Sequence, residues 1–111
     1  MSDENALERI RARLMERRAE LQRRQRRIDM DLARQHEPLS KDFSDQAIQL
    51  ENDETLQAIG EATVRELEEI NLALDRLSRG LYGLCRNCGE EISAGRLAAI
   101  PHATICQRCA Q

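Results

Sequence analysis

The sequence predicts a mainly α fold, an antiparallel two-helix coiled-coil hairpin with a small four-cysteine finger module at its open end. Three observations predict it. Leu7, Leu14, Leu21 and Ile28 recur every seven residues, and Leu56, Thr63, Ile70 and Leu77 repeat that interval later in the chain. A break containing Pro38 separates the two rows. All four cysteines then fall within one C-x2-C-x17-C-x2-C pattern, Cys85, Cys88, Cys106 and Cys109.

From Ala6 to about Gln35 the residues are strong helix formers with neither Pro nor Gly among them. Ile10 and Leu32 flank the heptad row, but Arg17 and Arg24 stand where the row of Ile10 would continue, so the apolar seam is thin. A lone helix with such a seam is not stable in water and needs a partner. The break, at about residues 36–45, gathers turn and cap residues around Pro38. Helical patterning resumes from about Asp45 to Arg79, with Leu67 and Leu74 beside the main row, and Gly80 stands where a C-terminal cap would end it.

Charge supports pairing of these two helices. The first carries Arg9, Arg11, Arg13, Arg17, Arg18, Arg23, Arg24, Arg26 and Arg27, with Glu8, Glu16 and Glu20 interspersed. The second carries Glu51, Asp53, Glu54, Glu61, Glu66, Glu68 and Glu69 around Arg65. Each exposed pair contributes only roughly 0–1 kcal/mol, so the apolar seams must supply most of the stability. The arginine-rich face offers another reading, a nucleic-acid or interaction adaptor. Against it stand the acidic partner helix and a formal net charge of −3, where a general nucleic-acid binder needs a basic surface. Direct sequence-specific DNA binding is therefore not expected.

Paired C-x2-C turns aim four thiolates at one tetrahedral Zn2+, and four thiolates leave no open position for water. Such a site holds structure and does no chemistry, so the chain is read as a non-enzyme. Disulfides or a redox C-x-x-C pair are the competing readings. Gly89 follows the second cysteine, where the turn calls for positive φ. Arg86 and Arg108 lie inside the two turns, where they would offset the negative charge of the site. His102 lies in the spacer and is read as a packing or surface residue, since four cysteines already complete the shell. Leu97 and Ile100 are expected in the small core of the module.

The organisation expected is therefore a disordered stretch over residues 1–5, the hairpin over 6–79 and the zinc-finger module over 80–111. No secretory leader and no apolar run of about 18 residues are present, which points to a cytoplasmic protein with reduced thiols. No Gly-rich phosphate loop or nucleophile elbow occurs either. A monomer is expected.

At the hairpin turn stands Asp42-Phe43-Ser44-Asp45-Gln46-Ala47, a D-x-x-D-x-A sequence. Physics alone explains it as an N-cap followed by a first-turn carboxylate. Its combination with Gly80-Leu81-Tyr82-Gly83-Leu84-Cys85-Arg86-Asn87-Cys88-Gly89 and the closing Cys106-x-x-Cys109 resembles the DksA/TraR family of bacterial RNA polymerase regulators over roughly residues 6–109. The resemblance implies a coiled coil inserted into the secondary channel of RNA polymerase. It implies also that Asp42, Asp45 and Ala47 form the tip facing the active centre, and that initiation is modulated, with ppGpp as co-effector at the polymerase interface in the stringent response. The sequence as read reaches Gln111, so a short member without the C-terminal helix of larger relatives is expected.

Overall fold

The structure, a computed structural model, describes residues 4–33 and 43–111, the stretch 43–51 as backbone. The expected turn lies outside the described residues up to Asp42. Among the described residues four helices follow in order: α1 (Glu4–Ala33), α2 (Phe43–Ser78), α3 (Ala94–Ala99) and α4 (Gln107–Ala110). Among the described residues the only sheet-like pairing is one antiparallel bridge, Leu84 with Glu91. Helix α1 starts at Glu4, ahead of the Ala6 start expected, and places an acidic side chain in the first turn, where the helix dipole favours it.

The chain divides into two compact units, and the division falls within the long helices. One unit comprises Met1–Ala19 with Leu67–Gln111. Its helical part buries Leu14 from α1 and Ile70, Ala73 and Leu77 from α2. Arg18 Nη1 joins the two helices by donating to Asn71 Oδ1 at 3.2 Å. Leu14, Ile70 and Leu77 are heptad residues. Ala73 is not; it is buried while Leu67 and Leu74 of the companion row are only half-buried. Burial of a small residue there is something that an apolar count favouring leucine does not reveal.

The other unit, Glu20–Glu66, buries Leu21 and Ile28 from α1 and Thr63 from α2. Thr63 occupies a heptad core position without leaving an orphan hydroxyl, because its Oγ1 donates to the Ile59 carbonyl at 2.8 Å. Gly60 is buried one turn earlier. A Cβ at residue 60 would lie 3.4 Å from Ile28 Cγ2, so any larger side chain there would push on α1. Burying each Leu or Ile contributes about 1.5–3 kcal/mol. The seam is short of such residues, and close approach of Ile28 at Gly60 offsets part of that shortage through dispersion contacts.

Helix α2 ends as Gly80 requires. Gly80 has φ 75°, the Leu81 amide donates to the Arg76 carbonyl at 2.8 Å, and the Gly80 amide donates to the Leu77 carbonyl at 3.2 Å. This is the Schellman pattern, which satisfies two terminal carbonyls and turns the chain directly into the cysteine module.

Candidate metal centre

The first cysteine turn is built by backbone geometry. Gly89, at φ 77°, lets its amide donate back to the Cys85 carbonyl at 2.9 Å, while the Asn87 amide points at Cys85 Sγ at 3.4 Å. Amides aimed at a sulfur favour the thiolate over the thiol. The Cys85 amide donates to Glu90 O, and the Ile92 amide donates to Gly83 O at 2.7 Å, so the turn is closed on both sides. Gly83 has φ 88° and lies against Leu97.

The second turn is helical. Cys106 is the N-cap of α4, and the Ala110 amide donates to its carbonyl at 3.0 Å. Thr104 ties the two turns together. Its carbonyl accepts the Arg86 amide at 2.8 Å, and its hydroxyl accepts Arg86 Nε at 3.1 Å. Cys85, Ile92 and Cys106 form the buried centre, with Leu97, Ile105 and Cys109 packed against it. Ile100 instead caps α3 and lines a cavity of about 400 Å3 with Arg86, Arg96 and His102.

These contacts bring the four sulfurs of Cys85, Cys88, Cys106 and Cys109 within 4.8 Å of one another. A zinc–sulfur bond of about 2.3 Å sets the edge of a tetrahedral four-sulfur site at about 3.8 Å. The Cys88–Cys106 sulfur separation is 3.8 Å. The donor set therefore fits Zn2+ in chemistry and in size.

Electrostatics points the same way. Burial pushes the Cys85 thiol up, but hydrogen bonds from Cys106, Cys88 and Asn87 outweigh it and bring the thiol down to about 5. Cys109 is pushed up to about 12, first by its hydrogen bond to Cys106 and then by the other two sulfurs. Four thiols this close cannot all ionise by themselves, because each new thiolate raises the cost of the next. A divalent cation at the centre removes that conflict.

Of the two arginines expected near the sulfurs, Arg108 is there, with Nη2 3.9 Å from Cys88 Sγ. Arg86 spends its Nε on Thr104 and acts as a brace between the turns. His102 takes no part in the cluster; its Nε2 lies 3.3 Å from Glu69 Oε2 on α2. Three further braces were not anticipated. Arg76 donates to the Leu84 carbonyl at 3.0 Å, Arg96 to the Ile105 carbonyl at 3.0 Å, and the Tyr82 hydroxyl to the Pro101 carbonyl at 2.8 Å. Arginines inside amphipathic patterns read as solvent-facing charge, so only the fold reveals their carbonyl partners.

The tip residues are described unequally. Asp42 lies outside the described residues. Asp45 and Ala47 fall in the opening turns of α2, described there as backbone.

Comparison with known proteins gives a consistent result. Residues 10–77 match the DnaK suppressor protein-like N-terminal domain, and residues 80–111 match the prokaryotic dksA/traR C4-type zinc finger. An uncharacterized protein of Aquifex aeolicus is 34% identical over 100 residues, 90% of this chain and 66% of that protein. The chain thus spans slightly under two thirds of that relative. Among solved structures, the transcription factor DksA2 of Pseudomonas aeruginosa superposes with a TM-score of 0.80 at 33% identity, covering 97% of this chain and 82% of the other. The DnaK suppressor protein of Agrobacterium tumefaciens gives a TM-score of 0.62 at 39% identity, covering 93% and 89%.

Proposed function

The chain belongs to the DksA/TraR family, and from that membership we propose that it is a cytoplasmic, non-enzymatic transcription regulator that binds RNA polymerase through the secondary channel. The observation that carries the reading is the joint match of hairpin and zinc finger along one chain, with a transcription factor as a structural relative at TM-score 0.80. In this reading Cys85, Cys88, Cys106 and Cys109 hold a structural Zn2+ that fixes the base of the hairpin. Asp42, Asp45 and Ala47 form the tip, whose carboxylates act on the metal-bearing active centre of the polymerase. The regulator shifts initiation by binding one conformation of the enzyme better than another.

ppGpp enters as co-effector at the interface with the polymerase, and it is the more demanding half of the proposal. Pull-down of core polymerase by the zinc-loaded protein tests the first half, with retention expected. Loss of retention on Asp42→Asn/Asp45→Asn is not expected, because the tip acts after docking. A folded, zinc-loaded protein that retains no polymerase refutes the reading. Adding ppGpp to the same experiment should strengthen retention, and an unchanged affinity removes the alarmone from the account.

A further inference from the structure

Resting on the docking to RNA polymerase proposed above, we infer that Arg23, Arg24, Arg26 and Arg27 of α1 form the surface by which the hairpin is drawn to, and held against, an acidic patch of that enzyme. All four are exposed, on the part of α1 that buries Leu21 and Ile28 towards α2. From Arg23 to Arg27 the helix rises only roughly 6 Å. Arg26 and Arg27 follow Arg23 by three and four positions, and Arg27 follows Arg24 by three, spacings at which like charges repel on a helix. That repulsion finds no relief within the protein. Among the described residues none of the four is within ion-pair distance of a carboxylate, and Glu54 and Glu61, exposed on α2 of the same unit, pair with none of them. Charge that works against its own helix and joins nothing in the fold points to a use outside it.

The extent of the patch favours a carboxylate-bearing protein surface over a nucleic acid as its occupant. The patch is short and bounded by acids: Glu20 precedes it, and Asp29 and Asp31 follow it. A phosphate backbone is a continuous row of negative charge, so it would meet those carboxylates and the acidic groups of α2 as readily as the arginines. A folded protein can set an acidic cluster against the arginines alone and keep its own carboxylates away from the flanks. A single strand would also call for aromatic side chains to stack on, and the one Phe and one Tyr of the chain both lie outside α1. The planar guanidinium fork grips a carboxylate through two parallel hydrogen bonds and is weakly hydrated, which suits a surface that must lose its water on docking.

Binding of the zinc-loaded chain to immobilised core polymerase, followed in real time at about 50 and about 200 mM salt, tests this. Wild type is expected to associate about 10-fold more slowly at the higher salt, the mark of charge steering. Arg23→Gln/Arg24→Gln/Arg26→Gln/Arg27→Gln is expected to bind on the order of 100-fold more weakly and to lose that salt dependence. Its melting temperature should equal or exceed that of wild type, because glutamine keeps the helix propensity and the repulsion is gone. If wild type binds and the glutamine variant matches it in affinity and salt dependence, the inference is overturned while the docking stands. A variant that melts lower assigns the arginines to the fold and overturns it equally. A wild type that does not bind polymerase at all removes the docking, and the inference with it. Duplex DNA offered without polymerase should not be bound; binding that the glutamine variant loses would assign the patch to phosphate and overturn the inference.

Discussion

At the residue scale, Tyr82 makes the clearest claim. It is the only tyrosine of a chain without tryptophan, so its ultraviolet titration is unmixed. Burial raises its phenol above the ordinary 10.0, with Arg13 pulling weakly the other way. The folded state therefore favours the neutral form. The associated stability is complete below pH 10.0 and is lost as the pH climbs through the raised folded value. Native protein should show tyrosinate absorbance only at higher pH than protein in denaturant; coincident curves would contradict the burial. Tyr82→Phe removes the bond to Pro101 O and should cost about 0.5–1.5 kcal/mol in denaturant unfolding. The zinc ligands were legible at this scale because thiol spacing is itself the constraint. The Tyr82–Pro101 bond was not, since 19 residues separate its partners and nothing local marks either one.

At the scale of elements, the heptad rows were legible because burial repeats with helix geometry. Leu14, Leu21, Ile28, Thr63, Ile70 and Leu77 are all buried. The packing at Gly60 was not, because a small residue is informative only once the facing side chain is known. Gly60→Leu should therefore destabilise the hairpin by roughly 1–3 kcal/mol through overpacking against Ile28, read as a lower thermal midpoint. A midpoint unchanged or raised would mean that α1 yields freely there. In the finger module the expected response is different. Cys85→Ser should lower zinc stoichiometry and loosen residues 80–111 while leaving most of the α1 and α2 helix signal intact. Full zinc content together with an unaltered melting curve would refute the metal assignment. Removal of zinc from the wild type by a chelator should reproduce the variant, with faster proteolysis confined to the module.

At the scale of the whole molecule, the long α1 and α2 helices and a zinc-bound base suit a regulator that acts by presenting groups to a larger machine. Arg76, Tyr82 and the Glu69–His102 pair join α2 and its end to the module, so the cysteine site and this part of the long helices form one packed unit. The expected turn around Pro38 lies outside the described residues, and the chemistry of its acidic pair could not be read from the sequence, because an N-cap and an active tip call for the same residues. Resemblance to a family, not periodicity, supplied the functional reading. The most direct test is in vitro transcription from a ribosomal RNA promoter and an amino-acid biosynthesis promoter, comparing wild type with Asp42→Asn/Asp45→Asn. The account predicts a promoter-selective effect of wild type that the double variant loses while its melting temperature stays close to wild type. An effect that survives both substitutions, or none at all from folded, zinc-loaded wild type, would contradict it.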